Sequence, residues 1–318
     1  MKKAVFKVLL VATVLLTLSV FPSGCAKRSA EQTLVVFHAG SLTKPMREVE
    51  AAFNAENGGN IIFRDESFGS VKVVKEISEL HRQVDVAATA DYKLIPQYLI
   101  PNYAKWVVRF ATNKLVIVYT DKSKYADRIN ADNWYEILLK KGVEFGFSDP
   151  NSDPCGYRTR LMFMLAEKFY NKPGLADALL KNVDPNNIKP KAVELVANVQ
   201  SGELDYAFEY KSVAVQNNLK YVSLPDQLNF GNPQYASFYE EAHFTMNDGK
   251  TVYGAPIIYG ITVPSNAPNK ELAERFVGFL LSEKGKEIFE KNGQEFVPLK
   301  ANVPVKELPP SIRSAFER

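Results

Sequence analysis

Two short runs in the first quarter of the sequence combine residue types that bind anions. Each run ends a predicted apolar strand in glycine and serine and then begins a helix: FHAGSL at residues 37–42 and SFGS at residues 67–70. At such a junction the first backbone N–H groups of the helix lack helical partners, and the helix dipole adds partial positive charge. The two runs therefore predict a hydrogen-bonding cup for an anion, although a Gly-Ser pair can also serve only to turn the chain.

Residues that could carry covalent or metal chemistry are sparse. His38, His81 and His243 are scattered, and none adjoins a serine or cysteine nucleophile motif. The sequence contains neither a phosphate-binding loop of the Walker type nor a dinucleotide glycine fingerprint. Its two cysteines, Cys25 and Cys155, have no zinc-ligand spacing to the histidines, and no disulfide can form within the mature domain. A hydrolase would need a positioned base and metal ligands that these residues do not supply, so an enzyme is not expected.

The N-terminus has the pattern of an export signal. A basic start, an apolar run over residues 4–21 and the small residues Ser23 and Gly24 lead to Cys25. This pattern predicts a lipoprotein-type signal over residues 1–25, a lipid on Cys25 and a polar tether over residues 26–33. The expected location is outside the cytoplasm, anchored to the outer face of the cell membrane. The alternative is an uncleaved membrane helix, but a run of about 18 residues that contains Lys7 is marginal for a bilayer.

Composition and length limit the class of protein. The 318 residues carry a formal net charge of +3, and 46% of them are hydrophobic. Removal of the signal takes away three lysines and leaves a nearly neutral chain, which argues against a nucleic-acid partner. A mature chain of about 290 residues with this much apolar content can fill two hydrophobic cores.

Predicted strands and helices alternate along the mature chain, which indicates an α/β fold with parallel sheets and helices on both faces. Predicted strands lie near residues 34–39, 61–63, 85–91, 114–120, 143–147, 205–210 and 257–263, and predicted helices near 44–53, 158–170, 192–199 and 271–291. Two long strands that cross between units predict two lobes, with residues 34–115 and 258–318 in lobe I and residues 116–257 in lobe II. Ligands of such sheets bind at the carboxyl ends of the strands, here in the cleft between lobes.

Six motifs together give the mature chain a specific resemblance to a known family. They are FHAGSL (37–42), SFGS (67–70), ATADY (88–92), SDPNSDPCGYR (148–158), PKAVEL (190–195) and DYAFEYKS (205–212). The chain resembles the extracytoplasmic tungstate/molybdate-binding proteins of ABC uptake systems. The resemblance implies a type II periplasmic-binding-protein fold, a monomer that closes on one tetrahedral oxyanion. It also implies permease and ATPase partners and no cofactor.

The same resemblance implies a set of site residues. Backbone N–H groups and hydroxyls of Gly40, Ser41 and Ser70 would bind the anion from lobe I, and the main-chain N–H groups of Cys155 and Gly156 and the phenol of Tyr210 from lobe II. Neutral donors of this kind replace the hydration shell of a dianion without burying a counter-charge.

Asp153 and Glu194 match the family's pair of carboxylates that approach the metal centre of the oxyanion. A carboxylate beside a dianion is repulsive unless its oxygen bonds molybdenum or tungsten and expands the coordination from four towards six. Sulfur cannot expand in this way, so the pair would favour the metal oxyanion over sulfate. The alternatives are a helix cap for Asp153 and a first-turn dipole role for Glu194. Glu209 is the rival to Glu194, but strand alternation directs Glu209 and Tyr210 to opposite faces, which favours Glu194.

The expected function is binding of tungstate or molybdate and delivery to an importer. A receptor for sulfate or phosphate and a sensory lipoprotein with the same cleft remain alternatives. Tungstate and molybdate are too similar in size and charge for the sequence to separate them.

Overall fold

The computed structural model describes residues 32–317, so the predicted signal and Cys25 lie outside the described residues. The strands of this part are β1 Gln32–Ala39, β2 Ile61–Phe68, β3 Val86–Thr89, β4 Val108–Thr112, β5 Leu115–Tyr119, β6 Phe145–Ser148, β7 Ile188–Lys189, β8 Tyr206–Tyr210, β9 Lys220–Ser223, β10 His243–Thr245, β11 Thr251–Tyr253, β12 Ile258–Thr262 and β13 Glu295–Ala301.

The helices of the same part are α1 Thr43–Glu56, α2 Ser70–Ser78, α3 Leu94–Tyr98, α4 Trp134–Leu138, α5 Pro154–Phe169, α6 Leu175–Asn182, α7 Leu195–Ser201, α8 Lys211–Gln216, α9 Asp226–Asn229, α10 Ala236–Tyr239, α11 Lys270–Leu280, α12 Glu283–Lys291 and α13 Pro310–Arg313. Two of the short 3-10 turns matter for the site, Gly40–Leu42 and Ala192–Glu194. None of the helices in residues 32–317 is long and apolar enough to cross a bilayer.

Two sheets organise the fold. The first has the order β13-β4-β12-β3-β1-β2, and the second has the order β7-β6-β8-β5-β9, while β10 and β11 form a separate hairpin. The prediction of parallel sheets is wrong in part, because β1 pairs in parallel with β2 and β3 but β12 runs antiparallel to β3 and β4. Strand β12 follows the second sheet in the chain and enters the first sheet in the direction opposite to its neighbours. The α/β fold class itself is confirmed.

The chain passes between the sheets in two short links. Residues 113–114 connect β4 to β5, and residues 254–257 lead from the hairpin into β12. Both links therefore lie just before β5 and β12, the strands that were expected to cross between the lobes. In this description lobe I contains the first sheet and lobe II the second, while the lobe boundaries given above stay a prediction.

Apolar side chains from helices and strands fill a core on each sheet. Phe53 of α1 packs edge to face against Phe276 of α11 on the first sheet, with ring centroids 5.4 Å apart. On the second sheet, Phe163 of α5 packs in the same way against Phe208 of β8 at 5.1 Å. Such pairs add to the free energy gained by burying their large apolar surfaces.

Helix ends show where local signals succeed and fail. Helix α1 ends at Glu56, directly before Asn57 and two glycines with positive φ, as the sequence predicts. The prediction of a single helix over residues 271–291 is wrong. This segment forms two helices, α11 and α12, because Ser282 caps α12 through a hydrogen bond that its Oγ accepts from Gly285 N.

Candidate functional site

Four strand ends bring the predicted site residues to the boundary between the lobes. Strands β1 and β2 lead into the Gly40–Leu42 turn and into α2, while β6 leads to α5 and β8 ends at Tyr210. The Gly40–Leu42 turn of lobe I contacts the Ala192–Glu194 turn of lobe II. A Cβ added at Gly40 would lie 3.0 Å from Val193 Cγ2, so glycine permits this close approach.

The two serine hydroxyls of lobe I are buried and keep protons for a ligand. Ser41 Oγ lies 2.9 Å from the phenol oxygen of Tyr259, which accepts a hydrogen bond from Asn113 Nδ2. Ser70 Oγ accepts a 2.9 Å hydrogen bond from the backbone N–H of Ala90. A hydroxyl accepts two hydrogen bonds and donates one. Ser70 can therefore still donate, and so can Ser41 when Tyr259 donates to it.

Asp153 caps helix α5 and is held by hydrogen bonds with several backbone groups. Its Oδ1 accepts from Cys155 N at 3.0 Å, its Oδ2 accepts from Ala192 N at 2.8 Å, and its carbonyl accepts from Gly156 N at 3.0 Å. In this structure the amides of Cys155 and Gly156 therefore hold Asp153, where the resemblance implies that they hold the anion. Burial raises the pKa of Asp153 to about 6, against the lowering effect of the Cys155 and Ala192 N–H groups and of Arg158.

Cys155 and Gly156 serve the packing of the start of α5. The Cys155 thiol is fully buried, and burial raises its pKa well above the ordinary value, which keeps it a neutral thiol. A Cβ on Gly156 would lie 2.0 Å from the carbonyl oxygen of Ser148, so only glycine lets the helix start so close to the end of β6.

Glu209 is the carboxyl that the sequence argument set aside, and the structure places it inside the protein. Its side chain is fully buried near the end of β8, where Oε2 accepts a 2.7 Å hydrogen bond from Tyr210 N. Its Oε1 has no hydrogen-bond partner among residues 32–317. Burial raises the pKa of Glu209 well above its ordinary value, and the nearby charge of Asp153 adds to the rise. The two carboxyls therefore lie close enough to interact in a dry environment.

Glu194 points away from this environment. Residues 192–194 form a 3-10 turn before α7, in place of the expected first turn of an α-helix, and the side chain of Glu194 is exposed. Within residues 32–317 the carboxylate of Glu194 makes no hydrogen bond or ion pair, while its backbone N–H donates to the carbonyl of Lys191 at 3.2 Å. Of the two candidates for the second carboxylate, Glu209 is therefore buried within electrostatic reach of Asp153, and Glu194 is exposed.

A buried arginine completes the lobe II side, and the sequence reasoning missed it. Arg158 donates from Nη1 to the phenol oxygen of Tyr210 at 2.7 Å and to the carbonyl of Ala90 at 3.0 Å. Its Nη2 lies 3.2 Å from Asp91 Oδ2, which also accepts a 2.7 Å hydrogen bond from Tyr157. Because Tyr210 accepts from Arg158, its own proton is free to be donated to a ligand. The position of Arg158 at the end of the SDPNSDPCGYR motif was the available signal.

Direct hydrogen bonds across the boundary show that the two lobes are closed on each other. The carbonyl of Ser152 in lobe II accepts from Val71 N at 3.1 Å and from Lys72 N at 3.4 Å, at the start of α2. Lys191 Nζ donates to the hydroxyl and the carbonyl oxygen of Ser67 at 2.9 and 3.0 Å. Closure brings the start of α2 against Asp153, since a Cβ added at Gly69 would lie 3.0 Å from Asp153 Cβ.

Two α/β lobes that close over helix starts and buried hydroxyls define a solute-binding protein of the periplasmic type. The fold agrees with solved structures of low identity. The periplasmic molybdate-binding protein of Azotobacter vinelandii aligns with a TM-score of 0.61 and 18% identity, over 83% of this chain and 98% of that one. The sulfate-binding protein SubI from Mycobacterium tuberculosis aligns with a TM-score of 0.63 and 14% identity, over 90% of each chain.

Sequence comparison defines the family more closely. Residues 34–295 match the family model for bacterial extracellular solute-binding proteins. The molybdate/tungstate-binding protein WtpA of Thermococcus kodakarensis is 45% identical over 92% of both chains. The protein of the same name from Pyrococcus abyssi is 47% identical over 83% of this chain and 84% of its own length. The chain belongs to this family of extracellular solute-binding proteins, and the resemblance found in its motifs is confirmed.

Proposed function

We propose that this protein binds molybdate or tungstate outside the cytoplasm and delivers it to an ABC importer. Its WtpA relatives carry molybdate/tungstate binding in their names, and their similarity extends over most of the chain. The observation that carries the proposal is the pair of buried carboxyls of lobe II, Asp153 and Glu209, which lie within electrostatic reach of each other, together with the buried hydroxyls of Ser41 and Ser70 in lobe I. We infer no catalytic activity and no cofactor, because the cleft serves to hold its ligand unchanged.

The carboxyl pair suits a metal oxyanion better than other anions. Two carboxylates beside a dianion repel it by several kcal/mol in a partly dry cleft, unless they bond to it. Oxygen atoms of Asp153 and Glu209 can bond the molybdenum or tungsten atom and expand its coordination from four towards six. The central atoms of sulfate and phosphate do not expand their coordination in this way. The same two residues therefore discriminate against these anions.

The remaining donors hold the oxygen atoms of the ligand. We assign this role to the hydroxyls of Ser41 and Ser70 and the phenol of Tyr210, since each has a proton available. We assign it also to the amide of Gly40, at the start of the turn that follows β1. Glu209 takes the place of Glu194 as the second metal-bonding carboxylate. The amides of Cys155 and Gly156 act indirectly, by positioning Asp153.

Delivery and anchoring complete the proposal. The partners are the permease and ATPase of the importer, with the lipid on Cys25 holding a monomeric receptor near them on the outer face of the membrane. Nucleic acid has no place in this scheme, because the mature chain is nearly neutral.

Isothermal titration of the unlipidated protein tests the function. Tungstate and molybdate should bind tightly, and sulfate and phosphate should bind weakly or not at all. Equal affinity for all four anions would leave a general oxyanion receptor, and no binding of any of them would refute the proposal.

A further inference from the structure

The hairpin of β10 and β11 carries a turn that is fixed by its own residues. Met246 N donates to the carbonyl of Lys250 at 2.9 Å, and Lys250 N donates to Asp248 Oδ1 at 3.1 Å. Gly249 has a φ of +82°, which glycine adopts without strain. One carboxylate oxygen of Asp248 therefore builds the turn and leaves the other, Oδ2, for a different contact.

The hairpin belongs to lobe II. Strand β10 packs on α5, Asn247 N donates to Asn151 Oδ1 at 2.9 Å, and the guanidinium of Arg160 lies 4.6 Å from the ring centroid of Phe244. A movement of lobe II carries the hairpin with it.

Asp248 Oδ2 contacts lobe I through two helices. The hydroxyl of Tyr98 in α3 donates to it at 2.5 Å, and Lys75 Nζ of α2 lies 3.2 Å away. Lys250 adds its Nζ at 3.4 Å from Oδ2 and 4.0 Å from the ring centroid of Tyr98. The side chain of Asp248 is only 19% exposed and that of Lys75 only 28%. Charge-assisted hydrogen bonds are stronger than neutral ones, and the partial burial of the Asp248 and Lys75 side chains reduces their screening by solvent.

We propose that Lys75, Tyr98, Asp248 and Lys250 form an interlobe latch that holds the cleft closed and sets how long the anion stays bound. The inference rests on the proposed function. Helix α2 begins at Ser70, a donor to the anion, and carries Lys75 farther along, so the same closing movement makes both sets of contacts. The latch thereby stabilises the only state in which donors of both lobes surround the ligand. Because apparent affinity scales with the closed population, the latch raises affinity without touching the anion.

The charge of Asp248 can be removed without disturbing its turn. In Asp248→Asn the amide oxygen still accepts from Lys250 N, and the NH₂ group replaces Oδ2. The matched control is Asp121→Asn, which breaks an exposed ion pair with Lys220 that stays within lobe II. We expect Asp248→Asn to raise the dissociation rate of tungstate about tenfold, with a nearly unchanged association rate. The control should match the parent.

Two further variants test that the contacts act as one unit. Tyr98→Phe should also speed dissociation, and the double variant with Asp248→Asn should be little worse than either single variant, because both remove the same interaction. Added salt should reduce the difference between parent and Asp248→Asn, since the latch is partly exposed to solvent.

Stopped-flow dissociation of tungstate decides between the outcomes. A parent that binds tungstate and an Asp248→Asn variant that releases it at the parental rate would overturn the latch and leave the proposed function intact. A parent that does not bind tungstate refutes the proposed function. The latch is then judged by hydrogen exchange of α3 amides without ligand. Faster exchange in Asp248→Asn than in Asp121→Asn supports the latch, and equal exchange overturns it.

Discussion

Replacing Glu209 by glutamine removes a carboxylate oxygen that can bond the metal and keeps the size and shape of the side chain. The glutamine carbonyl can keep the 2.7 Å hydrogen bond from Tyr210 N, and an NH₂ group takes the position of the unpartnered Oε1. That oxygen has no hydrogen-bond partner among residues 32–317 and is free to bond a metal, and an amide nitrogen cannot replace it. We therefore expect tungstate binding to weaken by about 2 kcal/mol or more, which is about 30-fold in Kd.

For sulfate, we expect the Glu209→Gln substitution to change the binding affinity in the opposite direction. At a pH where Glu209 is ionised its carboxylate repels sulfate, and glutamine removes that charge while adding a donor, so sulfate affinity should hold or rise. A merely structural role for Glu209 would lower both affinities together. Titration calorimetry of parent and Glu209→Gln with both anions makes the comparison, and Glu194→Gln is the control because its side chain is exposed.

Unfolding of the ligand-free protein checks the electrostatic part of the reasoning. The folded-state pKa of Glu209 is raised above 4.5 by burial, so the folded protein holds this proton more tightly than the unfolded chain. The parent then loses stability relative to Glu209→Gln as pH rises from 4.5 towards the raised pKa. Urea unfolding at several pH values measures the difference.

A Glu209→Gln protein that binds tungstate normally, beside a Glu194→Gln protein that does not, would show that the second carboxylate was assigned wrongly.

Three other predictions follow from the site and the N-terminus. Tungstate binding should release protons, and affinity should rise as pH passes about 6, because Asp153 and Glu209 must ionise to bond the metal; titrations in buffers of different ionisation enthalpy count the protons. Gly156→Ala should lower the free energy of unfolding in urea by about 1–3 kcal/mol, since its Cβ would lie 2.0 Å from the Ser148 carbonyl. Cys25→Ala should release the protein from membranes in cell fractionation and leave tungstate binding unchanged, whereas continued retention would indicate an uncleaved signal helix.

Local backbone signals made part of the fold predictable. The glycine and serine after β1 and β2 mark strand ends because these residue types favour turns and helix starts over extended strand. The glycines after α1 end that helix because glycine adopts a positive φ without strain. The break at Ser282 was missed because the apolar residues continue with helical spacing on both sides of it. Antiparallel entry of β12 depends on where the chain returns from the other lobe, which residue types do not encode locally.

The choice between Glu194 and Glu209 shows the limit of an argument from strand alternation. Glu209 and Tyr210 do point to opposite faces of β8, but both faces of this central strand are buried. At the end of a sheet the cleft runs past the edge, so side chains of both faces can reach it. Tyr210 meets Arg158, while Glu209 lies within electrostatic reach of Asp153. Glu194 was favoured for its helical position, and the 3-10 turn directs it to solvent.

X-ray absorption at the tungsten edge of the tungstate-bound protein tests the central claim most directly, because it reports how many oxygen atoms surround the metal. Bonding by Asp153 and Glu209 predicts six-coordinate tungsten in the parent and a lower coordination number in Glu209→Gln. Four-coordinate tungsten in the parent, unchanged from free tungstate, would contradict the account and leave a simple hydrogen-bonding cup for a tetrahedral anion.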